Sequence, residues 1–309
     1  MKVLITGGTG YVGFNLTARL CALDEITEVI AYDNLSRHNE SVFFAPIQHP
    51  EKLILVKADI LDTRKLRKYI KEVDVVVHLA ARVTTPFANQ DPHFFEQVNH
   101  WGTAETVYAA EETNIKKFIY LSSTAVYGHS ATPVTEQTAA NPQTYYGISK
   151  LRGEEHVNRL GLKSNAIIVR CGNIYGFGPA LRFDAVINNF ILQANRENRI
   201  TIHGSGMQLR SFAHVAEVAE LLQQVVQHDI PSGTYNFVKR TMRINEIADA
   251  IEQIFPGLER IYMNQHIGLN SLEVSEETAL ANYTNISSRN FQDDIDFFSR
   301  QFTFGSLKR

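Results

Sequence analysis

The sequence predicts an α/β protein built on a doubly wound parallel sheet, with a smaller mixed α/β domain at the C-terminal end. Three observations carry this reading. Short apolar runs alternate with segments of helical spacing through the first half of the chain. The first run, Val3 to Ile5, enters a glycine-rich turn and then a helical pattern. The chain has 309 residues, 44% of them hydrophobic, which suits one large domain or two joined ones. Alternation of this kind gives parallel strands linked by helical crossovers, and strands covered on both faces read as continuous apolar runs.

Charge and composition narrow the function. The net charge of −3 argues against a general nucleic-acid binder, which would carry a basic surface. No apolar run reaches transmembrane length, and Met1 leads directly into a strand. A cytoplasmic protein without a membrane partner is expected. Cys21 and Cys171 sit in apolar contexts, so buried reduced thiols are expected, with no disulfide and no metal site.

The elements follow in order. Residues 28–34 read as the second strand and residues 53–60 as the third with its exit. Asp62 is placed as the N-cap of a helix over 64–73, with Leu66 and Ile70 on its apolar face. Residues 74–81 form the fourth strand, where His78 reads as a satisfied core histidine. A long connection follows, then one helix from about 93 to 113 that carries the polar Asn99 within its apolar pattern. Residues 117–123 form the fifth strand, 146–160 a helix and 165–170 the sixth strand. Beyond Gly172 a glycine-rich loop precedes helical patterns at 184–195, 214–227 and 244–255. Short strands fall at 200–203 and 233–238. The tail from Gly257 is weakly patterned. Residues 1–171 are expected to form the sheet domain, with 210–240 returning to it. Residues 172–209 and 241–309 are expected to bind substrate.

Gly7, Gly10 and Gly13 recur at three-residue intervals between strand and helix. A turn without Cβ atoms lets the backbone approach a pyrophosphate, and the free N–H groups of the helix start face the anion. Asp33 ends the second strand about twenty residues further on, where its carboxylate can accept from both adenosine ribose hydroxyls and repel a 2′-phosphate. NAD is favoured over NADP, although Arg37 and His38 lie close by. Tyr146 and Lys150 are four apart and share a helical face. A nearby ammonium and an oxidised nicotinamide both favour phenolate over phenol. With a hydroxyl from the end of the fifth strand, this pair could take a proton from a carbinol while hydride passes to NAD.

These motifs together resemble an extended short-chain dehydrogenase/reductase, of the group that includes nucleotide-sugar epimerases and dehydratases, with a Rossmann-type sheet. They are Thr6-Gly7-Gly8-Thr9-Gly10-Tyr11-Val12-Gly13, Asp33-Asn34-Leu35, Asp59-Ile60, His78-Leu79-Ala80-Ala81, Asn99, Ser122 to Gly128, Tyr146 to Lys150, and Asn173 to Gly176. The resemblance spans roughly residues 1–255. It implies that Gly7, Gly10, Tyr11, Val12 and Gly13 bind pyrophosphate. Asp33 and Asn34 would face the adenosine ribose, Asp59 and Ile60 adenine. Ala80, Ala81 and Asn99 would line the cofactor, and Lys150 would hold the nicotinamide ribose. Tyr146 would be the acid/base and Ser123 the catalytic hydroxyl, with its neighbour Thr124 as second choice. Thr84, Asn173 and Arg210 would contact the substrate, Arg210 through phosphates. A homodimer, formed through the helices near 93–113 and 144–160, is also implied.

Family dehydratases carry Thr-Asp-Glu after the hydroxyl position, and their two acids perform the elimination. Here those positions are Thr124 and Ala125, which cannot do acid–base work at neutral pH. The resemblance therefore implies an epimerase that oxidises and re-reduces a nucleotide sugar through a transient ketone. A reductase or dehydrogenase uses the same residues with exchangeable cofactor and is the alternative. The second half departs from the pattern. Arg210-Ser211-Phe212 replaces Arg-Asp-Phe/Tyr, and the later Arg-Pro-Gly-Asp segment is absent, leaving Arg240, Arg243 and Arg260 as possible substitutes.

Overall fold

A computed structural model of the protein describes residues 1–83, 91–263 and 271–303. The first half runs β1 (Lys2–Thr6), α1 (Tyr11–Cys21), β2 (Glu28–Asp33), β3 (Leu53–Lys57), α2 (Thr63–Ile70) and β4 (Val75–His78). It continues through α3 (Pro92–Phe95), a π-helical stretch Glu96–Trp101, α4 (Gly102–Glu111), β5 (Lys117–Ser123), α5 (Tyr145–Leu160) and β6 (Asn165–Cys171). The second half comprises β7 (Asn173–Tyr175), α6 (Val186–Glu197), β8 (Arg199–His203), β9 (Leu209–His214) and α7 (Val215–Gln227). There follow β10 (Gly233–Phe237), β11 (Arg240–Arg243), α8 (Ile244–Glu252), β12 (Glu259–Met263) and α9 (Phe291–Ser299).

Seven parallel strands form the main sheet in the order β10-β6-β5-β4-β1-β2-β3. The order reverses between β1 and β4, so a crevice opens at their carboxyl ends. Val3, Leu4 and Ile5 are wholly buried because helices cover both faces. On one side Val3 and Ile5 pack with Leu16 and Leu20 of α1 and with Leu221 and Leu222 of α7. On the other, Leu4 and Val76 pack with Leu66, Val107 and Val157 from α2, α4 and α5. Each such side chain stabilises the fold by about 1.5–3 kcal/mol relative to its exposed state.

The smaller lobe has a three-stranded sheet, β11-β9-β7, and a parallel pair, β12-β8. Its core joins Ile187 and Ile191 of α6, Ile247 and Ile251 of α8, and Ile295 and Phe298 of α9. Residues 210–240 divide between the two layers: β9 joins the small sheet, whereas α7 and β10 join the main one.

Local chemistry sets the element ends. Asp62 Oδ1 accepts from Lys65 N at 3.1 Å, capping α2 as its position predicts. Thr144 Oγ1 accepts from Gly147 N at 3.0 Å and starts α5. The single helix expected over 93–113 is instead interrupted by a π-helical stretch. Such an insertion turns one residue away from the regular helical face, and here Asn99 turns inward. The weakly patterned tail holds β12 and α9. Helix α9 escaped the periodicity because Phe297, next to the buried Phe298, faces outward.

Candidate functional site

The glycine turn joins β1 to α1 in close contact. Gly7 has φ +71°, and a Cβ on Gly13 would lie 2.0 Å from the Gly7 carbonyl oxygen. Gly10 caps α1 without a side-chain acceptor. Side chains would fill this cradle, so the arrangement fits a group that reaches the backbone itself. Tyr11 and Val12 open the helix. Asp33 lies at the adjoining end of β2, where its Oδ2 accepts from Thr9 N at 3.1 Å and its Oδ1 from Leu35 N at 2.9 Å. Both bonds orient the carboxylate at the mouth of the cradle. Asn34 Nδ2 donates to Asp59 Oδ2 at 2.9 Å, and Leu61 N donates to Asp59 Oδ1 at 2.9 Å. Ile60 is buried beneath Gly102.

At the end of β4, His78 bridges Thr6 at 2.7 Å and Thr103 at 2.9 Å. Burial pulls it down to about 3, so it is a neutral spacer. Ala80 N donates to Thr6 Oγ1 at 3.2 Å, and Ala81 follows it along the crevice. Asn99 holds the next turn: its Oδ1 accepts from Arg82 N at 2.7 Å and its Nδ2 donates to Arg82 O at 2.9 Å. The same Nδ2 reaches Ser149 Oγ at 3.1 Å and ties α5 to this loop. Thr84 lies outside the described residues.

Strand β5 and helix α5 bring the reactive groups together. Tyr146 lies in the first turn of α5, and its phenol faces the hydroxyl of Ser123, the last residue of β5. This contact needs Gly147, where a Cβ would stand 2.6 Å from Ala125 O. Burial raises the Tyr146 phenol, against the Ser123 hydroxyl and the Arg182 charge. The positive end of the α5 dipole favours the phenolate. Lys150 lies one turn on, buried, with Nζ 4.3 Å from the Tyr120 ring centroid. Burial draws its ammonium down to about 7, and Glu154 opposes that fall. Thr124 is buried in a short turn, with Ala125 next to it.

The substrate-side predictions lie in the small lobe. Asn173 is exposed on β7, and its Nδ2 donates to Ser211 O at 3.1 Å. Arg210 is on β9, opposite Met242 of β11, and burial lowers its guanidinium. The other arginines weighed for phosphate binding are engaged elsewhere. Arg260 pairs with Asp249 and Glu252, Arg243 with Glu246, and Arg240 lies between the rings of Tyr175 and Phe291.

Two features escaped the sequence reading. The first is a strap, residues 176–184, fastened to the start of α1 and to the segment that follows β2. Tyr11 donates its hydroxyl to Gly176 O, and Asn188 Nδ2 reaches both Tyr11 Oη at 3.3 Å and Arg182 O at 2.9 Å. Ser41 Oγ donates to Pro179 O at 2.7 Å. Ala180 packs on Phe14 and Val42. Arg182 binds Asp184 through two bonds, 3.1 and 2.7 Å, and Arg37 approaches Asp184 at 3.9 Å. The Arg-x-Asp spacing at 182–184 was the available signal. The second is a buried ion pair between Glu154 and Arg170, signalled by a carboxylate four residues after Lys150.

The sheet order, the glycine cradle and the oriented Asp33 define a dinucleotide-binding α/β protein of Rossmann type. Residues 3–237 match the NAD dependent epimerase/dehydratase family, and the chain belongs to that family. It is an NAD-dependent enzyme of the sugar-nucleotide epimerase and dehydratase group. It is 30% identical over 240 residues to a dTDP-D-glucose 4,6-dehydratase of Mus musculus, covering 76% of this chain and 67% of the relative. A Methanocaldococcus jannaschii protein provisionally named UDP-glucose 4-epimerase is 33% identical over 225 residues, 71% of each chain. Among solved structures, a Bacillus cereus UDP-glucuronic acid 4-epimerase, in complex with UDP-4-deoxy-4-fluoro-glucuronic acid and NAD, superposes with a TM-score of 0.86. It is 22% identical and covers 97% of this chain and 99% of its own. MoeE5 in complex with UDP-glucose and NAD gives 0.81 at 23% identity, over 97% and 99%. At these identities the structures speak for the fold.

Proposed function

We propose that the protein is an NAD-dependent epimerase of a nucleotide-activated sugar. The observation that supports this reading is the placement of Tyr146, at the start of α5, against Ser123 at the end of β5, followed by Thr124 and Ala125 and not by acids. Elimination of water needs a general acid and a base beside the sugar, and neither of those two side chains is one. NAD supplies the hydride acceptor and donor.

Tyr146 takes the proton from the reacting hydroxyl and returns it at the end of the cycle. Ser123 orients the same oxygen. Lys150 holds the nicotinamide ribose, while the Ser123 hydroxyl and the Arg182 charge oppose the burial that raises the phenol. The glycine cradle and Asp33 fix the cofactor; Asn173 and Arg210 meet the nucleotide part of the substrate. The strap supports cofactor retention, because NAD exchange requires the contacts of Tyr11, Ser41 and Arg37 with residues 176–184 to open. Retention favours return of hydride over net reduction. Seven-stranded sheet and small lobe then divide the labour, the first holding cofactor and the second substrate. A homodimer through the helices near 93–113 and 144–160, with Trp101 exposed at the end of the π-helical stretch, completes the reading, and solution mass tests it.

The test is turnover of UDP-, GDP- and dTDP-sugars by purified protein with NAD, followed by NMR of the anomeric protons. Interconversion of two epimers without net NADH is expected. Steady NADH formation or consumption would instead establish a dehydrogenase or reductase, a 4-keto-6-deoxy product a dehydratase, and no conversion of any sugar would reject the proposal.

A further inference from the structure

Behind the reactive pair lies a buried polar network. Glu154 stands on α5, one turn beyond Lys150, and only 1% of it is exposed. Arg170 Nη2 donates to Glu154 Oε2 at 2.7 Å and its Nε to Oε1 at 3.0 Å. Ser122 Oγ donates to Glu154 Oε1 at 2.5 Å. Behind it, the Arg170 guanidinium lies 4.8 Å from the Tyr127 ring centroid, and Tyr127 donates its hydroxyl to Asn236 Oδ1 at 2.8 Å. The network therefore spans α5, β5, β6 and β10.

A buried charge pair of this kind is a poor source of stability, because desolvation offsets most of its attraction. Its position suggests another use. Residues four apart on a helix stand about 5–6 Å from each other at Cβ. Glu154 and Lys150 thus share one buried face of α5, and through Ser122 the carboxylate grips the residue preceding Ser123. We propose that Glu154, held by Arg170 and Ser122, is a positioning residue that keeps the Lys150 side chain an ammonium and fixes the end of β5. This rests on the assignment of Lys150 to the nicotinamide ribose.

The other groups around Lys150 cannot take that role. Tyr146 on its own helix and Tyr120 on β5 are phenols raised by burial. His78 on β4 is kept neutral by burial. Burial pulls the Lys150 ammonium down, and Glu154 is the group that opposes it. Arg170 on β6 is a cation paired with the carboxylate itself.

The experiment measures NAD affinity by calorimetry from pH 6 to 9.5, which requires no sugar substrate and so stands apart from the epimerase reading. Wild-type affinity is expected to fall as Lys150 loses its proton, and Lys150→Met to flatten the profile. Glu154→Gln should move the fall to lower pH by about one unit. That variant leaves the Arg170 charge unpaired, so the decisive protein is Glu154→Gln/Arg170→Met, which removes both charges and keeps the volume. It should regain the wild-type melting temperature yet retain the shifted profile, and Glu154→Asp should restore the wild-type position. A double variant that melts and titrates like wild type would overturn the proposal and leave the pair a packing element. A pH-dependent fall that survives in Lys150→Met would overturn it by removing its premise, without touching the epimerase reading.

Discussion

The two layers of the molecule solve different problems in different ways. The seven-stranded layer builds its glycine cradle from backbone: Gly13 packs on Gly7, and Gly10 caps α1. The small lobe uses side chains. Asn188 ties Tyr11 to the strap, Arg182 and Arg37 share Asp184, and Asn173 reaches Ser211. A backbone site tolerates no added atom, whereas a side-chain site can be tuned. Substitutions in the glycine cradle should therefore be all-or-none and those at side-chain contacts graded.

The largest effect is expected at Gly13→Ala. Its Cβ cannot fit against Gly7, so the cradle must open at a cost of about 4 kcal/mol. NAD titration should show at least about a hundredfold loss, and retained affinity would break the comparison. Tyr146→Phe should lower kcat by about a hundredfold while NAD affinity stays near wild type. Equal losses in both would make Tyr146 a binding residue.

Acidification tests the buried histidines of both layers. Burial draws His78 down to about 3 and His214 to about 4, from an ordinary value near 6.5. The unfolded chain thus binds protons below pH 6.5 that the folded chain refuses, and stability is lost as pH falls from 6.5. Each histidine withdraws up to about 1.4 kcal/mol per pH unit, so the melting temperature should drop steeply between pH 6.5 and 5. Asp33→Asn removes the charge that repels a 2′-phosphate and should narrow the preference for NAD over NADP by about tenfold. The smallest change is expected at Asp184→Asn. It should speed NAD release severalfold, with kcat little altered, in stopped-flow displacement; unchanged release would mean that the strap does not retain the cofactor.

The first layer was the more legible in sequence for the same physical reason. Glycines that must lack Cβ, apolar strands and a carboxylate at a strand end leave marks that do not depend on distant partners. Fold and cofactor followed from them, and the family from resemblance once the other motifs were added. The smaller lobe is assembled from contacts far apart in the chain. Arg37 meets Asp184, Ser41 meets Pro179, and Ser211 meets Asn173. No local period announces such pairs, and β7, β11 and α9 were missed accordingly. The π-helical turn at Asn99 was invisible because its purpose, holding the Arg82 backbone, lies outside its own helix. The roles of Ser123, Tyr146 and Lys150 came from resemblance, and turnover measurements will judge them.

The strap over residues 176–184 also bears on how such a catalyst sits in metabolism. A protein that keeps one cofactor molecule through many cycles carries its oxidant as a fixed part. Its throughput is then insulated from swings in the free NAD to NADH ratio. The same insulation is a hazard: a sugar ketone that escapes before hydride returns leaves the chain charged with NADH, idle until the strap opens. On the epimerase reading proposed above, the fastening at Tyr11, Ser41 and Arg37 would set both the economy of the enzyme and the lifetime of its mistakes.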